Sequence, residues 1–306
     1  MRRCIMSSQN QDDCKKQLKE LQNQYQKLQQ EYETILNSTH DLIFFIGVEK
    51  NGTFRFLKGN NQYQKLTGYS QEKIAGKTMY QLFDQEIADF LCNNYKKCCK
   101  TKDVITLEET LPFPNGTRTY STTLTPIIEN GEVIQIVGFS QDITEHKLME
   151  NRRMYRNKIL TALANKEELA DVLSLTIQWL ESEDPQAKGA IMLLDKNKEK
   201  LHLAAAPSLP DEFKQEIDGL RIEKAGVACS AAAHSGKRSV VEDTFTHPDY
   251  HFKELAQKFN LRSCWSEPVY SSQGEIIATF VVYHNKPKSP DEKDLKDLKF
   301  LLTQPG

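Results

Sequence analysis

Three Asn-Gly pairs, Asn51-Gly52, Asn115-Gly116 and Asn130-Gly131, each stand between apolar or β-branched runs. The dipeptide supplies the two φ > 0 positions of a type I′ turn, so the pattern predicts three antiparallel hairpins. The runs they join read "LIFFIGV" and "TFRFLKG", then "VITLEETLPF", "TRTYSTTLTPII" and "EVIQIVGFS". Two strands therefore come early and three late. Residues 60–100 between them carry helical spacing and the breaker "TGYS". One five-stranded antiparallel sheet, with helices packed on one face, accommodates this order and is expected over residues 38–144.

That sheet is only part of a chain of 306 residues, enough for two domains and connecting helices. Residues 1–14 are expected to be disordered, and "MRRCIMSSQNQDDCKKQ" lacks the apolar region of a secretory signal. Over residues 15–37 the spacing predicts a helix. Its Leu18, Leu21, Tyr25, Leu28, Tyr32 and Ile35 recur at alternating intervals of three and four. That is a heptad seam, the pattern of a short homodimeric coiled coil, and the alternative is a lone amphipathic helix lying on the following domain.

The last strand runs into a second charged helix at "VGFSQDITEHKLMENRRMYRNKIL" with no Gly, Pro or Ser-rich slack. Asp142 and Glu145 have capping-box spacing, and a capping aspartate contributes about 1 kcal/mol. A linker helix is expected over 145–164, where Leu148, Arg152, Tyr155, Ile159 and Ala162 keep a seven-residue spacing. In a parallel dimer this stripe would face its twin. Arg152 would then either weaken the seam or rotate to solvent. Asp142, Ile143, Thr144, Glu145 and Arg152 are accordingly the candidate signal relay. From 165 to 306 strands and helices alternate again, a second domain.

Two families are similar to these segments. "GNNQYQKLTGYSQEKIAGKT", with Asn60, Tyr63, Leu66, Thr67, Gly68, Tyr69 and Gly76, resembles the N-terminal signature of the PAS domain. Asp142-Ile143-Thr144 resembles the element with which many PAS domains finish. Gly226, "CSAAAHSGKRSVVED", "LRSCWSEPV" and "GEIIATFVVYH" resemble the GAF domain of bacterial signalling proteins. The resemblance implies an α+β fold: a PAS-like five-stranded antiparallel sheet, then a GAF-like sheet, joined by signalling helices. It also implies a dimeric cytoplasmic sensory module that relays a ligand or redox state to an output histidine kinase or cyclic-di-nucleotide enzyme. No such output domain follows "ATFVVYHNKPKSPDEKDLKDLKFLL", so an input fragment or a truncated sensor is expected, with a redox-active GAF enzyme or a dimerisation scaffold left from a truncated sensor as the alternatives.

Catalytic chemistry has few candidates. By that resemblance Cys229, His234, Cys264 and Trp265 fall in parts of the GAF pattern that face its pocket. The related free methionine sulfoxide reductases use "GVCG" and "HIACD", whereas this chain has "GVACSAAA" and no second motif, so buried core cysteines are the plainer reading. A bilin-binding GAF domain needs a cysteine where His251 stands. A flavin-binding PAS domain needs an "NCRFLQ"-like element, which this chain lacks. A haem-binding one needs an axial His, and none lies between His40 and His146. Asn165-Lys166 matches cyclic-nucleotide GAF domains only by accident. His247, His251 and His284 lack metal-ligand spacing. No metal and no cofactor is therefore expected, although an unidentified small-molecule ligand fits either domain. A net charge of −2 disfavours nucleic acid or an anionic membrane as partner, and no apolar run nears the roughly 18 residues of a span. Seven cysteines form no C-x-x-C pair, which fits reduced thiols in the cytoplasm.

Overall fold

The computed structural model describes residues 8–113, 116–224 and 227–302. Two compact units divide the chain, Met1–Lys147 and Leu148–Gly306. In the first, α1 (Ser8–Asn37) precedes β1 (Leu42–Val48) and β2 (Phe54–Gly59). Helices α2 (Asn61–Thr67), α3 (Gln71–Ile74), α4 (Met79–Leu82) and α5 (Gln85–Thr101) follow, then β3 (Ile105–Phe113), β4 (Gly116–Glu129) and β5 (Glu132–Asp142). The five strands form one antiparallel sheet in the order β2-β1-β5-β4-β3. Residues 8–14, expected to be disordered, belong to α1, and residues 1–7 lie outside the described residues.

The turns obey local chemistry, though not uniformly. At Asn130-Gly131 both residues are left-handed (φ 51 and 80), the type I′ geometry, and β4 passes to β5 through those two residues alone. At Asn51-Gly52 only the glycine is (φ 80). There the Gly52 N–H donates to Glu49 O at 2.8 Å and the Glu49 N–H to Thr53 O at 2.9 Å, a longer loop than a type I′ turn. The Asn115-Gly116 turn lies partly outside the described residues, although β3 and β4 pair up to Phe113 and Gly116 on either side of it.

Alternation puts Leu42, Phe44 and Ile46 of β1, Phe54 and Phe56 of β2, Leu124 of β4 and Ile136 of β5 on one buried face. Against it lie Ile74, Met79 and the α5 stripe Ala88, Leu91, Cys92, Tyr95 and Cys98. Asp84 starts α5 by accepting the Ile87 N–H at 3.0 Å.

In the second unit α6 (Thr144–Ala164), which begins in the first, is followed by α7 (Leu169–Glu183), β6 (Ala187–Leu194), β7 (Lys200–Ala205), α8 (Asp211–Ile217) and β8 (Leu220–Arg221). Then come α9 (Ala228–Ser235), β9 (Ser239–Val241), α10 (Lys253–Lys258), β10 (Ser263–Tyr270), β11 (Ile276–His284) and α11 (Glu292–Leu302). The sheet order is β8-β7-β6-β11-β10-β9. Both of its faces carry a core. One gathers Met192, Phe213, Ile217, Cys229, Tyr250, Cys264 and Tyr283. The other gathers Ile177, Trp179, Trp265, Phe280 and Leu298. That is why β11 is buried from Ala278 to His284 without alternation.

One close approach tests the first core. A Cβ at Gly138 would lie 2.1 Å from Phe44 Cζ, so β5 and β1 pack only because that side chain is missing. Gly138→Ala is expected to lose about 3 kcal/mol of stability in this unit, the upper range for overpacking. Urea unfolding followed by circular dichroism checks it, and an unchanged midpoint would refute the packing.

Candidate functional site

Chemistry and mechanics concentrate at three places: where α1 meets the five-stranded sheet, where β5 becomes α6, and where α6 joins the second unit.

Asn60, immediately before α2, is 2% exposed, and its side chain makes four hydrogen bonds. Its Oδ1 accepts from the N–H of Ile43 (3.2 Å) and of Tyr63 (3.0 Å), the latter capping α2. Its Nδ2 donates to the carbonyls of Leu36 (3.0 Å) and Asp41 (2.9 Å). Leu36 O is one of the orphan carbonyls that end α1, so one amide ties the N-terminal helix, β1 and α2 together. Asn37 Oδ1 accepts the Asn61 N–H at 2.8 Å, and Lys58 pairs with Glu33. The rest of the motif is structural. Tyr63 is buried against Gly59, Gly68 ends α2 with φ 72, and the Tyr69 hydroxyl donates to Leu82 O at 3.4 Å.

At the outgoing junction a single residue, Ile143, separates β5 from α6. Its N–H still donates to Thr119 O at 2.9 Å, as in the sheet, while its own carbonyl already accepts the Lys147 N–H at 2.9 Å, as in the helix. Asp142 Oδ1 accepts the Thr144 N–H at 3.0 Å and Oδ2 accepts from Arg118 Nη1 at 2.6 Å. Thr144 Oγ1 accepts the Thr119 N–H at 2.8 Å, and Lys147 pairs with Glu108 at 2.9 Å. Partial burial works against the charged Asp142, but hydrogen bonds from Thr144 and Arg118 hold its carboxyl below the usual range. The expected capping box does not form. Asp142 stands one place before the cap residue, and exposed Glu145 is the second helical residue where the box requires the third.

Within the second unit the stripe expected to face a twin faces its own domain. Tyr155 and Ile159 pack on the core of Ile177, Trp179 and Leu298, and Ala162 is buried. Tyr155 stacks on Trp179 with centroids 6.4 Å apart and planes 4° from parallel. Arg152 is neither a seam intruder nor turned to water. Its Nε and Nη2 grip the two oxygens of Glu183 (2.8 and 2.7 Å), and Nη2 also reaches Asp297 Oδ1 at 2.6 Å. Those bonds, Glu183 foremost, raise the guanidinium pKa further. One side chain thus joins α6, α7 and α11.

The thiol candidates meet only in part. Cys229 and Cys264 lie in one buried cluster with Tyr250 and Tyr283. Burial pushes the Cys229 thiol to about 11 and Cys264 also well upward, which disfavours the reactive thiolate. Trp265 is not in that cluster. Adjacent strand residues point to opposite faces, so it stacks on His284 (4.9 Å, 20°) across the sheet. His284, which the sequence set aside only as a metal ligand, is buried, and its Nε2 shares a hydrogen bond with Asp184 Oδ2 at 2.9 Å and holds that carboxyl at about 2. Gly226 lies outside the described residues. Among the described residues no group of three or more His, Cys, Asp or Glu could hold a metal ion, and no helix is long and apolar enough to cross a membrane.

The Asn60 bracket gives a sharp expectation. Asn60→Ala should lose about 4 kcal/mol, some 1 kcal/mol for each of the four unmatched groups. Asn60→Asp should keep the α2 cap yet release the α1 end, read as faster amide exchange at residues 34–37 and near-native exchange at Tyr63. Equal exchange at both places in the two variants would contradict the assignment.

The family model described as the PAS fold matches residues 36–148, and that of the GAF domain matches 166–304. A methyl sulfide methyltransferase-associated sensor of Methanosarcina acetivorans is 28% identical over 275 residues, covering 88% of this chain. The chain spans only 27% of that relative's length. Among solved structures, the GAF domain of an Acinetobacter phosphoenolpyruvate-protein phosphotransferase aligns with 17% identity and a TM-score of 0.39, over 49% of this chain and 86% of its own. A free methionine-R-sulfoxide reductase from Neisseria meningitidis aligns with 22% identity and a TM-score of 0.40, over 51% and 86%. The five-stranded unit is accordingly a PAS domain and the six-stranded unit a GAF domain, a pairing of sensor modules.

Proposed function

We propose that this chain is a dimeric input module in which a change in the PAS sheet is passed through β5 into α6, and from α6 through Arg152 to α11. An output kinase or cyclic-di-nucleotide enzyme would receive the signal, and the setting is the cytoplasm. The reading rests on one observation above the others, the unbroken passage of β5 into α6 with Asp142 and Thr144 bonded back to Arg118 and Thr119 of β4. A strand pinned this way cannot shift without carrying the first helical turn. The candidate thiols support no enzymatic role, since both are buried and held protonated.

The test removes the pins. In Arg118→Ala/Thr144→Val the sheet should survive while amide exchange at residues 145–149 rises by roughly tenfold, as for the loss of about 1.4 kcal/mol of local stability. Unchanged exchange would remove the basis of the relay.

Dimerisation is assigned to α1 and no longer to the stripe from Leu148 to Ala162. On a single chain Leu18, Leu21, Tyr25, Leu28 and Ile35 are 57–69% exposed along one seam, whereas the α6 stripe packs on its own GAF domain. Light scattering should give twice the chain mass at micromolar concentration, falling to one chain mass in Leu21→Glu/Leu28→Glu with the helical signal of the domains retained. A monomeric wild type would overturn this part.

A further inference from the structure

Besides Asn60, the PAS core buries a second group of polar side chains. Glu109 of β3 is 7% exposed, Thr122 of β4 is 2% and Ser140 of β5 is 3%, and all three face the helices. The Thr122 hydroxyl is hydrogen-bonded to Glu109 Oε1, and Thr122 Oγ1 and Ser140 Oγ are 2.7 Å apart. The line crosses three adjacent strands and ends two residues before Asp142, where the outgoing junction begins.

We propose that Glu109, Thr122 and Ser140 form a proton-responsive hydrogen-bond chain that reports the charge of Glu109 to the β5–α6 junction. The inference rests on the relay reading above and specifies its input. An ionised carboxylate only accepts, so Thr122 donates to Glu109 and its oxygen is free to accept from Ser140. When Glu109 takes a proton from solvent it gains a donor. The donors along the chain can then reverse, with Glu109 giving to Thr122 and Thr122 to Ser140. The Ser140 hydrogen is then released to seek another acceptor, beside the strand residues that hold α6.

The surroundings suit a carboxyl that changes charge. Tyr120 stands directly opposite Glu109 on β4, with Tyr63 from α2 and Tyr95 from α5 nearby. Burial raises all three phenols, so they stay neutral, and Cys92 beside Tyr95 is raised likewise. The neighbouring cations are engaged elsewhere, Lys147 with Glu108 and Arg118 with Asp142. Burial accordingly lifts Glu109 above the ordinary glutamate range, opposed only by the Thr122 hydrogen bond. The sign follows: the folded chain binds this proton more tightly than the unfolded one. The contribution to stability is full below the unfolded value of about 4.3, and it is lost as pH rises through the folded value.

Two readouts on the full chain test it. Stability of wild type relative to Glu109→Gln should fall as pH is raised from 4.5 to 8 (a range set at roughly the unfolded glutamate value and above). Over the same range, amide exchange of residues 140–147, corrected for intrinsic rates, should change by roughly threefold or more in wild type and stay flat in Glu109→Gln. Thr122→Val should keep the stability slope yet lose the exchange change, because the carboxyl still titrates while the chain is cut. Flat wild-type exchange, or a change that persists in Glu109→Gln, would overturn the proposal. Failure of the junction itself is read separately, from Arg118→Ala/Thr144→Val.

Discussion

The structure depends on how the chain passes from sheet to helix at Ile143. A helix start leaves four amides without internal partners, and a strand end leaves ladder groups to be paired. Here both demands are met within one residue. Ile143 keeps its sheet bond to Thr119 while its carbonyl opens α6, and Asp142 and Thr144 occupy the groups on either side. With no spare backbone between the two elements, displacement of β5 has no slack in which to vanish. A sensory reading of this chain is mechanical before it is chemical.

The same economy explains Arg152. On a sequence stripe it reads as a charge in the wrong place. In the fold it answers Glu183 and Asp297 on two other helices, and Glu183 also accepts the Trp179 indole N–H at 2.8 Å. A guanidinium suits this because its planar fork serves two carboxylates at once. The linker helix is therefore an integral part of the GAF domain's core. Exposed apolar side chains also run along α1, whose C-terminal end the PAS domain holds through Asn60.

Polar groups inside the PAS core follow the rule that buried polarity must be paired. Asn60 satisfies it with four bonds of fixed direction and acts as a bracket. The hydroxyl chain from Glu109 to Ser140 satisfies it with bonds whose direction can reverse. The rigid network holds the end of the incoming helix, and the reversible one ends at Ser140, which pairs with Leu42 and stands two residues before Asp142.

Much of the fold was legible in the residues. Asn130-Gly131 set a type I′ turn because only such residues tolerate two left-handed positions in succession, and the apolar runs marked β1 and β2 as strands, though not which of their residues face inward. The spacing of Leu148, Arg152, Tyr155, Ile159 and Ala162 established that one face of a helix is buried. It could not say against what, because hydrophobic burial is non-directional and any apolar surface satisfies it. Tertiary structure decided that α7 and α11 take that face, that Trp265 turns away from Cys264, and that Asn60 reaches the end of a helix 24 residues earlier. These are contacts between groups distant along the chain. Periodicity carries no information about them, and only packing brings them together.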